Sequence, residues 1–191
     1  MKILLRPALI LLVLLTLITG VIYPLAVTGI AQGLLSARAN GSLMLHDGQP
    51  VGSALIGQNF ADPGHFWSRP SATTPVPYDA NASGGANLGP TNPALAQAVQ
   101  ARIAALRAAD PGNTAPVPID LVTTSASGLD PHISAAAARY QTQRVARVRG
   151  LPPERVLQLV DAHTERPFLG WFGEPRVNVL QLNLALDAMP K

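Results

Sequence analysis

Two serines, an aspartate and a histidine lie close together in the sequence, and these are the residue types of a nucleophilic hydrolase. Ser125 and Ser127 precede Asp130 and His132. In catalytic triads the three side chains converge from separate elements, and the GxSxG turn of α/β-hydrolases does not occur in this sequence. We therefore interpret Asp130 as the N-cap of a helix, with His132 exposed in its first turn. A membrane-anchored envelope hydrolase using Ser127 or His132 is the alternative function.

Other residue patterns that could bind a metal ion or a cofactor are incomplete. None of the four histidines forms an i, i+4 pair with another, and the sequence contains neither HExxH nor cysteine, so a zinc site is not expected. The glycine-rich run SGGANLGPTN (83–92) lacks the Lys-Ser/Thr of a phosphate-binding loop and the spacing of a dinucleotide site. We interpret it as a rigid turn that leads into a helix. We expect no catalytic residue, no bound cofactor and no metal ion in this chain.

Charge patterning argues against nucleic acid as a partner. The formal net charge is +3, but only 13% of the residues are charged. Nucleic-acid-binding domains carry a denser basic stripe interleaved with aromatic residues. An arginine-rich segment lies in the C-terminal half and comprises Arg139, Arg144, Arg147, Arg149 and Arg155. Such a segment is usually a solvated helix face; a partner with an acidic patch is the other interpretation.

The elements that carry these residues begin with a long apolar segment. Residues 7–37 contain no charged side chain and are framed by Lys2 and Arg6 before them and Arg38 after them. About 20 apolar residues in a helix are enough to cross roughly 30 Å of hydrocarbon. A secretory signal peptide is the rival interpretation, but its apolar region usually runs for only about 7–15 residues. We therefore predict an uncleaved transmembrane helix over residues 8–30.

The positive-inside rule predicts the orientation of this helix, because its nearest positive charges lie mostly on the N-terminal side. Residues 1–7 are expected in the cytoplasm. Residues 31–50 would form a juxtamembrane connection, and residues 51–191 one domain in the periplasm, beside the cell inner membrane. Pro7 suits the first helical turn, whereas Pro24 is expected to kink the span or to end it.

The domain opens with a short apolar stretch, followed by a long irregular segment. Residues 51–60 are predicted to form one or two strands. In residues 61–93, ten of the 33 residues are Gly or Pro, and neither a strand nor a helix period survives. Segments of this length without secondary structure are usually functional or disordered. Phe66, Trp67 and Tyr78 argue against simple disorder, because aromatic side chains can pin such a loop to the core or dock it on a partner.

Capping residues and apolar spacing predict a mainly helical remainder. The predicted helices cover residues 93–109, 131–149, 153–163 and 177–189. Asn92 is expected to cap the first and Gly150 to end the second. In the last segment alternating leucines would suit a strand, but a run without Gly or Pro favours a helix capped by Asn178. The predicted fold is therefore α+β: one N-terminal transmembrane helix, followed by a single mixed extracytoplasmic domain with a helical C-terminal half.

Five motifs lie in order along the chain: RPSA (69–72), SGGANLGPTNP (83–93), PVPIDLVTTSASGLDPHIS (116–134), QRVARVRG (143–150) and GEPRVNVLQLNLALD (173–187). These motifs resemble the KdpC family, which supplies one subunit of the bacterial potassium-transporting Kdp ATPase (the KdpFABC complex). Together with the single N-terminal span they cover essentially the whole chain. Five separate motifs in the same order make the resemblance highly specific.

The resemblance implies a non-catalytic subunit of an ATP-driven potassium uptake pump in the inner membrane. Its partners would be the channel-like potassium subunit KdpA, the P-type ATPase subunit KdpB, the small subunit KdpF and membrane lipid. The complex uses ATP, magnesium and potassium, and the family is described as raising the ATP affinity of the catalytic subunit KdpB. ATP is cytoplasmic whereas this domain is predicted to be external, so we expect that effect to be coupled through the membrane subunits.

The residues expected to contact the channel-like KdpA fall into two groups. In the anchor they are Val13, Leu17, Gly20 and Thr28, which include small residues of the kind that allow helices to approach closely in lipid. In the domain they are Phe66, Trp67 and Tyr78 of the irregular segment, which would dock on the outer face of KdpA.

Overall fold

The computed structural model describes residues 2–167 and 169–190 and divides the chain into two compact units, Met1–Leu43 and Met44–Lys191. It contains helices and sheets after one apolar N-terminal helix, so the predicted α+β class is confirmed.

The first unit begins with an apolar helix in three parts: α1 (Lys2–Leu17), a π-helical turn (Ile18–Ile22) and α2 (Tyr23–Leu34). Its apolar stretch, Leu4–Leu34, has 31 residues; the mean hydropathy of its 18-residue apolar window is 2.6, and none of that window is buried within the chain. At 1.5 Å per residue it is about 46 Å long, more than the roughly 30 Å of a hydrocarbon core. Length and composition thus allow this helix to cross a membrane, and the limits 8–30 stay a prediction.

Pro7 lies in a position other than the one we expected, whereas Pro24 is interior to the apolar helix, as predicted. The helix begins at Lys2, so Pro7 is inside α1 and not in its first turn. Pro24 does not end the helix, because the π-turn comes directly before it. There the Tyr23 N–H donates to the Ile18 carbonyl, one residue farther back than in an α-helix. Pro24 has no N–H to donate, and the wider turn before it shifts the backbone hydrogen bonds by one residue, so that the helix continues past the proline.

The segment predicted to be a juxtamembrane connection, residues 31–50, contains regular secondary structure. After the short helix α3 (Ser36–Ala39), strands β1 (Leu43–His46) and β2 (Gln49–Ser53) form a two-stranded sheet. Between the strands, Asp47 and Gly48 both have positive φ, as a tight hairpin turn requires. The strand predicted within residues 51–60 therefore starts earlier and ends at Ser53.

The structure describes every residue from 54 to 92, and none of them lies in a helix or a strand. For residues 61–92 this is what the Gly and Pro content predicted, whereas a strand over residues 54–60 was expected and is not formed. Helix α4 (Pro93–Ala109) follows, and the Asn92 side chain accepts a hydrogen bond from the Ala94 N–H at 2.9 Å. The predicted cap of this helix is confirmed. A 3₁₀ turn (Ile119–Leu121) then leads toward the second sheet.

The second sheet has three antiparallel strands in the order β3-β5-β4, with three helices around it. The strands are β3 (His132–Ser134), β4 (Thr164–Glu165) and β5 (Arg176–Asn178); the helices are α5 (Ala135–Arg149), α6 (Pro153–Ala162) and α7 (Val179–Asp187). In the register His132 faces Asn178 and Thr164 faces Val177. Gly150, in a left-handed conformation, ends α5, and Asn178 caps α7, both as predicted.

The helix predicted over residues 131–149 starts four residues later, and Asp130 is not its N-cap. Residues 132–134 form β3, which buries Ile133 against the core. The cap of α5 is Ser134, whose hydroxyl oxygen accepts a hydrogen bond from the Ala137 N–H at 3.0 Å. Asp120 holds this cap in place, accepting the Ser134 N–H at 2.7 Å.

The core lies where α5, α6, α7 and β5 meet. Its buried side chains include Ile133, Val145, Val156, Val160, Val177, Leu182 and Leu186. One core member, Phe66, comes from the long loop and is fully buried. The loop is therefore part of the folded domain, which explains why it keeps a defined path without secondary structure.

Candidate functional site: a loop clamped between helices

The loop that runs from residue 61 to residue 92, called here the clamped loop, is held by two buried side-chain amides. Each amide binds the backbone N–H and the backbone carbonyl of one loop residue. Asn183 on α7 accepts the Phe66 N–H at 2.8 Å and donates to the Phe66 carbonyl at 3.0 Å. Gln141 on α5 accepts the Trp67 N–H at 2.7 Å and donates to the Trp67 carbonyl at 3.1 Å. Each amide thus pairs with the backbone as a neighbouring strand would, and satisfies polar groups that the core would otherwise leave unpaired.

Arg144 strengthens the same grip from α5. Its guanidinium donates to the carbonyls of Pro63 and His65, the latter at 3.0 Å, and to the Gln141 side chain at 2.6 Å. It also lies 4.6 Å from the centre of the Trp67 ring, in a cation–π arrangement. Only 2% of Arg144 is exposed, and burial lowers the pKa of this guanidinium to about 10. The prediction that Arg144 lies on a solvated helix face is wrong, because the loop carbonyls turn inward to meet it.

An ion cluster ties the start of the loop to two helix ends. His65 of the loop and Arg149 of α5 both contact the Asp187 carboxylate of α7, His65 at 3.1 Å. Burial by itself would raise the pKa of Asp187, but the hydrogen bonds from Arg149 and His65 outweigh it and lower that pKa below its usual value.

A second cluster holds the loop near β3. Arg69 lies 3.4 Å from the Asp130 carboxylate and donates to the carbonyls of Thr123 and Thr124, each at 3.3 Å. Asp130 also accepts the His132 N–H at 3.0 Å. Burial alone would raise the pKa of Asp130, but the hydrogen bonds from His132 and the charge of Arg69 lower it. Asp130 therefore anchors the loop, a role that our N-cap interpretation missed.

The serines, Asp130 and His132 do not assemble into a triad. The Ser127 hydroxyl oxygen accepts the Leu129 N–H at 3.1 Å within its own turn. His132 lies half-buried in β3, not exposed in a helical turn, with its Nδ1 3.5 Å from Asp130. Across residues 2–167 and 169–190, no hydrogen bond joins Ser125 or Ser127 to His132.

Tyr78 holds the middle of the clamped loop in place through hydrogen bonds to Ser71 and Arg69 of the same loop. Its N–H donates to the Ser71 hydroxyl oxygen at 3.0 Å, and that hydroxyl donates to the Gly128 carbonyl at 2.7 Å. The Tyr78 hydroxyl donates to the Arg69 carbonyl. Burial of this phenol raises its pKa to about 12, so Tyr78 stays a neutral donor at any physiological pH. Farther on, the Gly84 N–H donates to the Ser127 carbonyl at 2.9 Å.

A cavity of about 290 Å³ lies beside the loop. Its lining includes the rings of Phe60, Trp67 and Tyr78 and two arginines, Arg69 and Arg102. Arg102 donates to the Val122 carbonyl at 2.7 Å, and Arg69 is engaged as described. The charged groups of this cavity thus hold the protein's own backbone together. Within the described part of the chain, no group of three His, Asp or Glu side chains could hold a metal ion.

The residues predicted to contact a partner differ in their exposure. Phe66 is fully buried, while Trp67 and Tyr78 are half-buried. These aromatic side chains therefore pin the loop to the domain, and any contact with a partner would use the outer edges of Trp67 and Tyr78. In the apolar helix Val13, Leu17, Gly20 and Thr28 are all exposed. Partner contact by both groups stays a prediction.

Fold and site together define an α+β domain, borne on an apolar helix, whose polar clusters hold one long loop. The family described as "K+-transporting ATPase, c chain" (KdpC) matches residues 5–188, and the chain belongs to this family. A potassium-transporting ATPase KdpC subunit from Polaromonas naphthalenivorans is 72% identical over 189 residues, or 99% of this chain and 96% of the relative. One from Dechloromonas aromatica is 63% identical over the full length of both chains. The resemblance carried by the five motifs is thereby confirmed.

Proposed function

We propose that this chain is the KdpC subunit of a potassium-transporting ATPase and that it has no active site of its own. The observation that carries the proposal is the use of its polar side chains. Of the residues that could have done chemistry, Asp130 and the buried Arg144 are engaged in holding the clamped loop, and His132 contacts Asp130 without reaching the loop. Its relatives, which match it from end to end, are named as KdpC subunits of that ATPase.

The chain would assemble with the channel-like KdpA, the P-type ATPase KdpB and the small KdpF. Its apolar helix exposes every described side chain from Leu4 to Ile30, so it needs lipid or other helices around it. The clamped loop supplies the domain's contribution, since a loop held by two amide clamps presents its outer edge in one conformation. A preformed surface loses little conformational entropy on binding.

Any effect on ATP affinity would pass through the membrane subunits. The positive charges before the apolar helix favour a cytoplasmic N-terminus and a periplasmic domain, whereas ATP is cytoplasmic. A subunit that binds one pump conformation better than another shifts the equilibrium by its differential affinity, without touching nucleotide. ATP, magnesium and potassium would then be used by the complex and not bound by this chain.

Co-purification tests the assembly. The full chain, solubilised in detergent with the other pump subunits, should bring the large membrane subunits with it. Ser127→Ala and His132→Ala should leave both assembly and pump ATPase activity close to those of the unaltered chain. A chain that purified alone and lost a hydrolytic activity on His132→Ala would support the envelope hydrolase and contradict our proposal.

The topology has its own test. A reporter that is active only in the cytoplasm, fused after the last residue, should be silent. Strong cytoplasmic activity of that reporter would contradict the periplasmic assignment and would permit direct contact with ATP.

Hydrogen exchange tests the docking of the loop. Residues 67–78 should exchange more slowly in the assembled pump than in the isolated chain, while residues 153–162 of α6 serve as the internal reference. Equal exchange of residues 67–78 in both states would contradict docking through this loop, even if co-purification succeeded.

A further inference from the structure

The segment between β4 and β5 exposes a cluster of large apolar side chains. Leu169, Trp171 and Phe172, named here the aromatic tip, are 71%, 71% and 57% exposed. The ring centres of Trp171 and Phe172 lie 4.0 Å apart. Single exposed apolar residues are ordinary on protein surfaces, but a contiguous group with two aromatic rings marks a site of interaction.

The base of this segment is fixed, and its conformation turns the tip outward. Glu165 faces Arg176 across the strands, and their side chains form an ion pair at 2.9 Å. Leu169 has a φ of +53°, a conformation that costs a residue with a side chain free energy. Since Leu169 is exposed, packing within the described chain does not offset this conformational cost. A contact with a surface outside the chain would offset it.

We propose that the aromatic tip inserts into the interfacial layer of the membrane in which the apolar helix is anchored. Tryptophan is the side chain most typical of that layer, where its ring is apolar and its N–H remains hydrated. The domain is covalently attached to the anchor helix and therefore stays near a bilayer. The inference depends on that anchoring and not on which pump the chain joins.

Size and charge favour lipid over a protein as the occupant. Two aromatic side chains bury about 150–250 Å² each, whereas a stable protein interface takes about 800 Å² from each partner. The flanking charges cancel, with Glu165 and Glu174 against Arg166 and Arg176. The tip thus lacks the net positive charge that would direct it to anionic lipid headgroups, and insertion should not depend on salt.

Brominated lipids, which quench tryptophan fluorescence at known depths, test the proposal on the full chain. The chain contains only Trp67 and Trp171, so the difference between the unaltered chain and Trp171→Phe isolates the emission of Trp171. In phosphatidylcholine vesicles with bromines near the headgroup, Trp171 emission should fall about twofold or more. The emission of Trp67 should change much less, since its ring lies half-buried against Arg144. Raising the salt to about 0.5 M should leave the quenching unchanged.

Leu169→Ser provides a second variant that leaves both tryptophans in place, and it should reduce the quenching of Trp171. Equal quenching of the two tryptophans, or none of either, would overturn the proposal. If Trp171 is unquenched in the isolated chain but becomes protected when the large membrane subunits are added, the tip docks on protein and insertion is wrong. If insertion holds while co-purification fails, the proposed function falls and the membrane contact stands.

Discussion

Replacing Asn183 with leucine should destabilise the domain more than its size change would suggest. The substitution removes the hydrogen-bond partners of the Phe66 N–H and the Phe66 carbonyl, which the Asn183 side chain binds at 2.8 and 3.0 Å. Asn183 is 1% exposed, so water does not replace it there. Leaving a buried backbone group unpaired costs about 1–3 kcal/mol, and the added apolar burial of leucine offsets roughly 1 kcal/mol. We therefore expect a loss of about 3 kcal/mol in the free energy of unfolding.

Urea and thermal unfolding of the full chain in detergent, followed by the fluorescence of Trp67 beside the clamp, measure this loss. For a domain of this size it corresponds to a decrease of roughly 6–12 °C in Tm. Gln181→Leu is the matched control, since Gln181 lies half-buried on the same helix and its side chain carries no clamp. The reasoning is refuted if the free energies of unfolding of Asn183→Leu and Gln181→Leu differ by less than about 0.5 kcal/mol. In that case a water molecule would satisfy the Phe66 backbone as well as the Asn183 amide does.

Three further perturbations test other parts of the structure. Gly128→Ala should cost about 1–3 kcal/mol, because φ is +68° and the new Cβ would lie 2.6 Å from the Gly84 carbonyl oxygen, whereas Gly112→Ala, at an open site, should be nearly neutral in the same urea titration. The pKa values of the Asp130 and Asp187 carboxyls are lowered in the folded chain, so the stabilisation they provide is present above the pKa of an unfolded aspartate and is lost as the pH falls through the folded pKa values. The urea midpoint should therefore fall below about pH 4, and it should fall less steeply in the double variant Asp130→Asn, Asp187→Asn. Gly20→Leu should reduce co-purification of the large subunits without changing the Tm of the domain, and equal recovery would contradict close packing at Gly20.

Local capping rules predicted those parts of the fold that short segments determine. Asn92 and Asn178 are small polar residues in front of helical runs, and both cap helices in the structure. Gly150 needs no Cβ in its left-handed conformation, and it ends α5 where expected. In each case the hydrogen bond that decides the conformation lies within four residues, so the sequence contains both partners.

Asp130 shows why the same rules failed at β3. An aspartate before a proline is a common start of a helix, yet residues 132–134 pair with β5, more than forty positions later. Pairing buries Ile133, and the helix start moves to Ser134, where Asp120 supports the cap. A partner that is distant in sequence thus decides between strand and helix, and propensity alone does not contain that information.

The clamps were missed for a related reason, although one signal was available. On α7, Asn183 falls in the apolar stripe formed with Val179, Leu182 and Leu186, with helical spacing. A polar amide in such a stripe must find a partner in the core. On α5 the density of arginines indicated a solvated face and concealed the burial of Arg144. What the spacing does not show is that the partner is the backbone of a loop more than seventy residues earlier.

The polar groups of this domain hold its own chain, and this bears on how a subunit that performs no chemistry, as we propose, can act on a pump. A long loop rich in Gly and Pro would lose much conformational entropy if it became ordered only on docking. Two amide clamps, the buried Arg144 and the Asp130 cluster hold it in one conformation within the domain itself. Binding to one pump conformation can then be selective, since a rigid surface does not adapt to the others. On this argument, variants that loosen a clamp should weaken coupling to the pump even where they lie far from every partner.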